Sequence, residues 1–139
     1  RKQVTQQSYF NYSFRIDPKE LKVTNAQFSA ALNAELGLKG SFQAPYEPLN
    51  MCGLYKPRTK VRHNLSKEYW KALNPKRHKL PVCVDAHTKS GITIHHQLLM
   101  NSKKDMDDVA EAIKKVVDNI SELRTAKTGK SKKYSALSD

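Results

Sequence analysis

The sequence predicts one mixed α/β domain of the α+β type, a few strands covered by helices and closed by a long C-terminal helix. Three stretches carry this expectation. Tyr9–Ile16 alternates apolar and polar residues as a half-buried strand does; Thr24–Gly37 has the start, stripe and stop of a helix; Gly91–Leu123 runs from a β-branched strand into a long amphipathic helix. A chain of 139 residues with 38% apolar content can furnish one modest core.

In YFNYSFRI, residues Phe10, Tyr12, Phe14 and Ile16 fall on one side and Tyr9, Asn11, Ser13 and Arg15 on the other. Asp17-Pro18 ends the strand, because proline removes a ladder donor and restricts the residue before it. Thr24 then supplies an N-cap, Gln27 completes a capping box, and Val23 can staple against Phe28. Phe28, Ala31, Leu32 and Leu36 make the buried stripe, and Gly37 suits a left-handed C-terminal turn, so a helix is expected over 25–36.

Residues 38–65 keep no period and carry three prolines and two glycines. They read as an irregular, ordered excursion of the kind that often binds, with room for a short strand near Gly40–Gln43. Ser66 is expected to cap a short helix to Leu73, closed by Asn74-Pro75. Val82, Cys83 and Ala86 form an apolar set for one or two helical turns beginning at Pro81, and Thr88–Gly91 turns the chain into Ile92-Thr93-Ile94. Ser102 caps the last helix with Asp105 at the third position, and Met106, Val109, Ile113, Val116, Ile120 and Leu123 share one face. That face is expected to pack on the Tyr9–Ile16 strand and its neighbours. The domain is drawn as 1–125, with 126–139 as a basic, polar tail.

The formal net charge is +12, and it is concentrated. Residues 56–79 hold nine Lys and Arg against Glu68 alone, and the tail adds four lysines. An anionic partner is therefore in view, with Lys56, Arg58, Lys60 and Arg62 as candidate contacts. No apolar run is long enough to span a membrane, and RKQVTQQSYF lacks the apolar core of a secretory signal. Cys52 and Cys83 stand 31 residues apart and are expected as buried free thiols in a reducing compartment, which points to the cytoplasm. The chain opens on Arg1 without Met, as a fragment or processed piece would. His87, His95 and His96 lack a carboxylate or thiol at metal-ligand spacing, and nothing around Cys83 would activate it as a nucleophile.

Five blocks, YFNYSFRID, AALNAELG, YEPLNMCGLYKP, LPVCVDAH and ITIHHQLLMNSKKDMDDVAEAIKKV, occur in an order that resembles the C-terminal part of the DegT/DnrJ/EryC1/StrS aminotransferases. The resemblance covers about Ser8 to Leu123. It implies the small domain of a fold type I aminotransferase, a mostly antiparallel sheet with helices on one face. It also implies pyridoxal phosphate, held mainly by a large domain that this chain does not resemble, a homodimer partner sharing the active site, and a nucleotide-linked keto sugar as substrate. No lysine here precedes a Gly-rich phosphate loop, so the chain alone is expected to bind no cofactor and to be inactive.

Within the resemblance, Tyr46 of the tyrosine-any-proline-leucine block and the pair His95 and His96 are the candidate substrate-binding residues. If strand alternation continued through the pair, only one imidazole would face the cleft, and His95 is the slight favourite. A lone tyrosine between prolines is more often a packing residue. The competing function is a module of this ancestry that grips RNA or another polyanion through residues 56–79 and the tail. Only Tyr69 and Trp70 interleave with that basic stretch, which offers little for base stacking. A scaffold role for a degenerate domain is the remaining alternative.

Overall fold

The computed structural model describes residues 3, 5, 9–52 and 65–125. Its elements run β1 (Asn11–Arg15), α1 (Pro18–Leu21), α2 (Asn25–Glu35), β2 (Phe42–Gln43), α3 (Lys67–Ala72), a 3-10 turn (Pro75–Arg77), α4 (Pro81–Asp85), a π turn (Ala86–Ser90), β3 (Gly91–His95), α5 (His96–Leu99), α6 (Lys103–Asp118) and α7 (Ile120–Thr125). The sheet has the order β1-β3-β2 and both pairings are antiparallel, so the last strand in sequence is central. Phe14 lies opposite Ile92, and Tyr12 and Phe42 flank Ile94.

One face of this sheet packs on α2, and α6 lies against α2 in turn. Phe28, Leu32, Phe42, Ile92 and Ile94 are the centre of the core, joined by Val23, Val109, Ala112 and Val116. Each fully buried side chain of this size contributes about 1.5–3 kcal/mol. The caps on α2 form as expected: Thr24 accepts from the Gln27 N–H, Gln27 answers to the Thr24 backbone, and Gly37 closes the helix at φ 63°.

A single polar side chain organises the far end of the sheet. Asn25, 1% exposed, donates from Nδ2 to the carbonyls of His87 at 3.0 Å and Gly91 at 2.9 Å. It thereby ties the first turn of α2 to both ends of the wide π turn, whose i to i−5 bond runs from the Gly91 N–H to the Ala86 carbonyl. Gly91 has no room for a side chain, since a Cβ would stand 2.6 Å from both the Ala86 carbonyl oxygen and Pro45 Cγ. Beside the turn, Arg15 pairs with Asp85 at 2.9 Å, and Ser90 bridges the two, accepting from Arg15 Nε and donating to Asp85.

Several expectations are corrected. The first strand is shorter than Tyr9–Ile16, and Phe10 and Tyr12 are exposed, because β1 is an edge strand and the core reaches only its Phe14 end. The long helix packs principally on α2 instead of that strand. It breaks at Asn119, whose amide donates 2.8 Å to the Lys115 carbonyl in competition with the backbone; α7 then redirects Ile120 and Leu123 onto the core. Asp17 both ends β1 and caps the one-turn α1 through the Lys19 and Glu20 N–H groups. Cys83 and Val82 are exposed and Cys52 is half-buried, so the Pro81 segment is not core and neither thiol is buried. The tail lies outside the described residues. Among the described residues no helix is long and apolar enough to cross a membrane.

Two outcomes follow. Asn25→Ala leaves two buried carbonyls without their donor and should destabilise the domain by about 2 kcal/mol in urea unfolding, with an unchanged denaturant slope. At the N-terminus of α6, the Ser102 hydroxyl, then its backbone N–H, hold the Asp105 carboxyl below the usual aspartate range. A depressed folded-state value means the cap's contribution is present above the unfolded-state value and is lost as pH falls through the folded one. Acid should therefore fray the start of α6, read as faster amide exchange at Lys104–Asp107, and Asp105→Asn should abolish that pH dependence.

Candidate functional site

The His pair sits where β3 ends. His95 is the last residue of β3, opposite Asn11, and its backbone N–H donates to the Ser41 carbonyl at 3.1 Å. His96 opens α5, so the chain leaves the strand between the two residues and alternation stops. Both imidazoles consequently lie together, half-buried, with ring centres 5.3 Å apart. Phe10 closes the group, stacked on His96 at 5.7 Å and edge-on to His95 at 6.2 Å.

The protonation pattern is set by the partners. His96 Nδ1 meets the Phe10 carbonyl at 3.1 Å, and a carbonyl only accepts, so Nδ1 carries the proton and Nε2 of the neutral ring is the acceptor. His95 Nδ1 and Asn11 Oδ1, on register-paired residues, are both buried without a hydrogen-bond partner. Polar atoms left unpaired in this way are costly, about 1–3 kcal/mol each, which makes the pair a natural place for an outside hydrogen-bond partner.

Tyr46 lies at the opposite end of β3. Pro45 packs against Gly91, and its carbonyl accepts from His87 Nδ1 at 2.7 Å. Pro48 is buried and receives the Met51 and Cys52 N–H groups, which folds the loop into a tight turn. Asn50 Nδ2 reaches the His78 carbonyl at 2.9 Å. Tyr46 itself is 76% exposed, so it is not a packing residue of this chain. Gly91, against which Pro45 packs, and His95 are the two ends of β3, roughly 13 Å apart by strand rise, so the two candidate features are anchored at opposite ends of that strand. Lys56, Arg58, Lys60 and Arg62 lie outside the described residues. Open grooves elsewhere among the described residues include one of about 320 Å³ between α2 and α6–α7 and one of about 410 Å³ beside Arg15 and Asp85.

Phe10, Asn11 and His87 complete the picture; the sequence marked the first two only as strand residues and weighed His87 only as a metal ligand. Phe10 could have been found from its place in the alternating strand; Asn11 could not, because only the register brings it opposite His95. Among the described residues, nothing is shaped for pyridoxal phosphate. Every described lysine is exposed, and the buried polar residues Asn25, Ser29, Ser90 and Thr93 build neither a phosphate cradle nor a carboxylate for a pyridine nitrogen. Among the described residues there is no cluster able to hold a metal.

A chain with these elements and this His pair is similar over most of its length to aminotransferases. It is 34% identical over 122 residues to the L-glutamine:2-deoxy-scyllo-inosose aminotransferase of Streptomyces fradiae, a match covering 87% of this chain and 28% of that protein. The enzyme of the same name from Streptomyces paromomycinus is 38% identical over 112 residues, 79% of this chain and 26% of the relative. The L-glutamine:scyllo-inosose aminotransferase of Streptomyces griseus is 32% identical over 120 residues, 86% and 28% respectively. The chain thus spans less than a third of the length of these relatives. Their names specify an inosose, not the nucleotide-linked sugar that the sequence resemblance implied. No family model matches the chain.

The His87–Pro45 bond is the loop's tether and gives a direct prediction. His87→Ala should raise amide exchange at Glu47 and Leu49–Cys52 about tenfold, the equivalent of one neutral hydrogen bond, and leave α6 protected.

Proposed function

We propose that this chain is the small-domain portion of a pyridoxal-phosphate-dependent aminotransferase of the DegT/DnrJ/EryC1/StrS family. In the assembled enzyme the amino donor is L-glutamine and the acceptor an inosose. The observation that carries this is the run of inosose aminotransferases at 32–38% identity across most of the chain. The α+β layout, with a small antiparallel sheet under α2 and α6, is compatible with it.

Pyridoxal phosphate makes an amino group transferable between a donor and a ketone; in this reading a large domain outside this chain would hold it, because no residue set among the described residues fits it. The part left to this chain is to bind and orient. An inosose is an uncharged ring bearing hydroxyls, for which neutral imidazoles are suitable partners: His96 offers Nε2 as acceptor, and His95 an unpaired Nδ1. Tyr46 would act at a separate point of the cleft. Lys56, Arg58, Lys60 and Arg62 then have an anion to meet in the donor's carboxylate, with no need for a nucleotide phosphate. A homodimer in which partner subunits share each site completes the proposal, and free thiols suit a cytoplasmic enzyme. The RNA or polyanion alternative draws no support from the relatives.

The test is a chimera of the Streptomyces fradiae enzyme in which this chain replaces the matched region. It should aminate 2-deoxy-scyllo-inosose at the expense of L-glutamine, followed by mass spectrometry of the amino product. His96→Ala should lower kcat/KM about tenfold, as loss of one hydrogen bond near 1.4 kcal/mol would. A folded, cofactor-loaded chimera without L-glutamine-dependent amination would overturn the assignment.

A further inference from the structure

Large apolar side chains are exposed on two neighbouring segments outside the core. Tyr46, Leu49 and Met51 lie on one, at 76%, 72% and 45% exposure; Leu80 and Val82 lie on the other, at 38% and 70%. The segments are held side by side, by the Asn50 amide on the His78 carbonyl and by His87 Nδ1 on the Pro45 carbonyl. Isolated apolar residues on a surface need no explanation, but five on two segments tied together mark a place where another surface belongs.

The surroundings define that surface. Lys76, Arg77 and Lys79 are exposed along the second segment, and Lys67 and Lys71 on α3 precede them, against Glu68. A second copy of this chain would set these cations against themselves, so self-association through the face is opposed. A partner with an apolar centre and an acidic border is favoured. We propose that this face is the interface through which the domain docks on the remainder of the aminotransferase, with Leu49 and Val82 as its apolar centre.

The inference rests on the aminotransferase assignment, because the relatives contain more than twice as much chain outside the matched region as within it. It adds a claim that the assignment does not require, namely which surface is covered. It also gives the His87 tether and the Asn50 bond a purpose: they hold two apolar ridges in register before the partner arrives, which lowers the ordering cost of association.

Leu49→Asp and Val82→Asp are made together in two settings, the isolated chain and the chimera with the Streptomyces fradiae remainder. In the isolated chain the melting temperature should be unchanged within about 2 °C, because both side chains are already in water. In the chimera the pair should lower it by more than about 5 °C and make the junction sensitive to limited proteolysis. Val117→Asp, on the exposed side of α6 at 41% exposure, is the control and should be silent in both. An active chimera indifferent to the pair would overturn the interface and leave the enzyme assignment standing. A chimera that is folded but inactive before the pair is introduced, and still loses stability with it, would overturn the L-glutamine:inosose activity and leave the docking surface standing. A loss of stability already present in the isolated chain would show that Leu49 and Val82 serve the domain itself, and would also overturn the proposal.

Discussion

The buried amide of Asn25 is the contact on which the domain's arrangement depends. It sits in the first turn of α2, where backbone N–H groups are unsatisfied, yet it spends its own donors on the carbonyls of His87 and Gly91. An apolar residue there would leave those carbonyls dry and unpaired. The π turn is tolerated because this amide, together with the Arg15, Asp85 and Ser90 group, meets the polar demands of a turn too wide to meet them alone. With the turn fixed, β3 enters the sheet at a defined register, and both candidate features take their places from its two ends.

Local chemistry was legible in the sequence wherever one residue type answers to one backbone need. The Thr24 and Gln27 box, Gly37 after α2, the Ser66 cap on α3 and the Ser102 and Asp105 box on α6 are all of this kind. What was not legible depended on partners distant in the chain. Ala112 belongs to the α6 stripe because a small residue lets α6 approach α2, which periodicity of large residues does not reveal. The break at Asn119 turns on a side chain that could equally have faced water. Val82 and Cys83 satisfy a core pattern and are nevertheless exposed, since pattern reports what can be buried and not what is available to bury it.

The candidate site divides in the same way. Adjacent histidines after a β-branched strand are visible in sequence, but their joint packing on Phe10 follows from the chain turning into α5 between them. Asn11 enters only through strand register.

The pairing of the first and last strands has a consequence for synthesis. Ser13 and Thr93 join across 80 residues, and β2 also waits for β3 as its only sheet partner among the described residues. On the ribosome, α2 can coil as soon as it emerges, but no strand has a neighbour until Ile92–Ile94 is out. Until then Phe28, Leu32 and Phe42 have no sheet to cover, and an aromatic edge strand is free to pair wrongly. The sheet of this domain is therefore a long-range structure, in which both outer strands depend on the one that is made last.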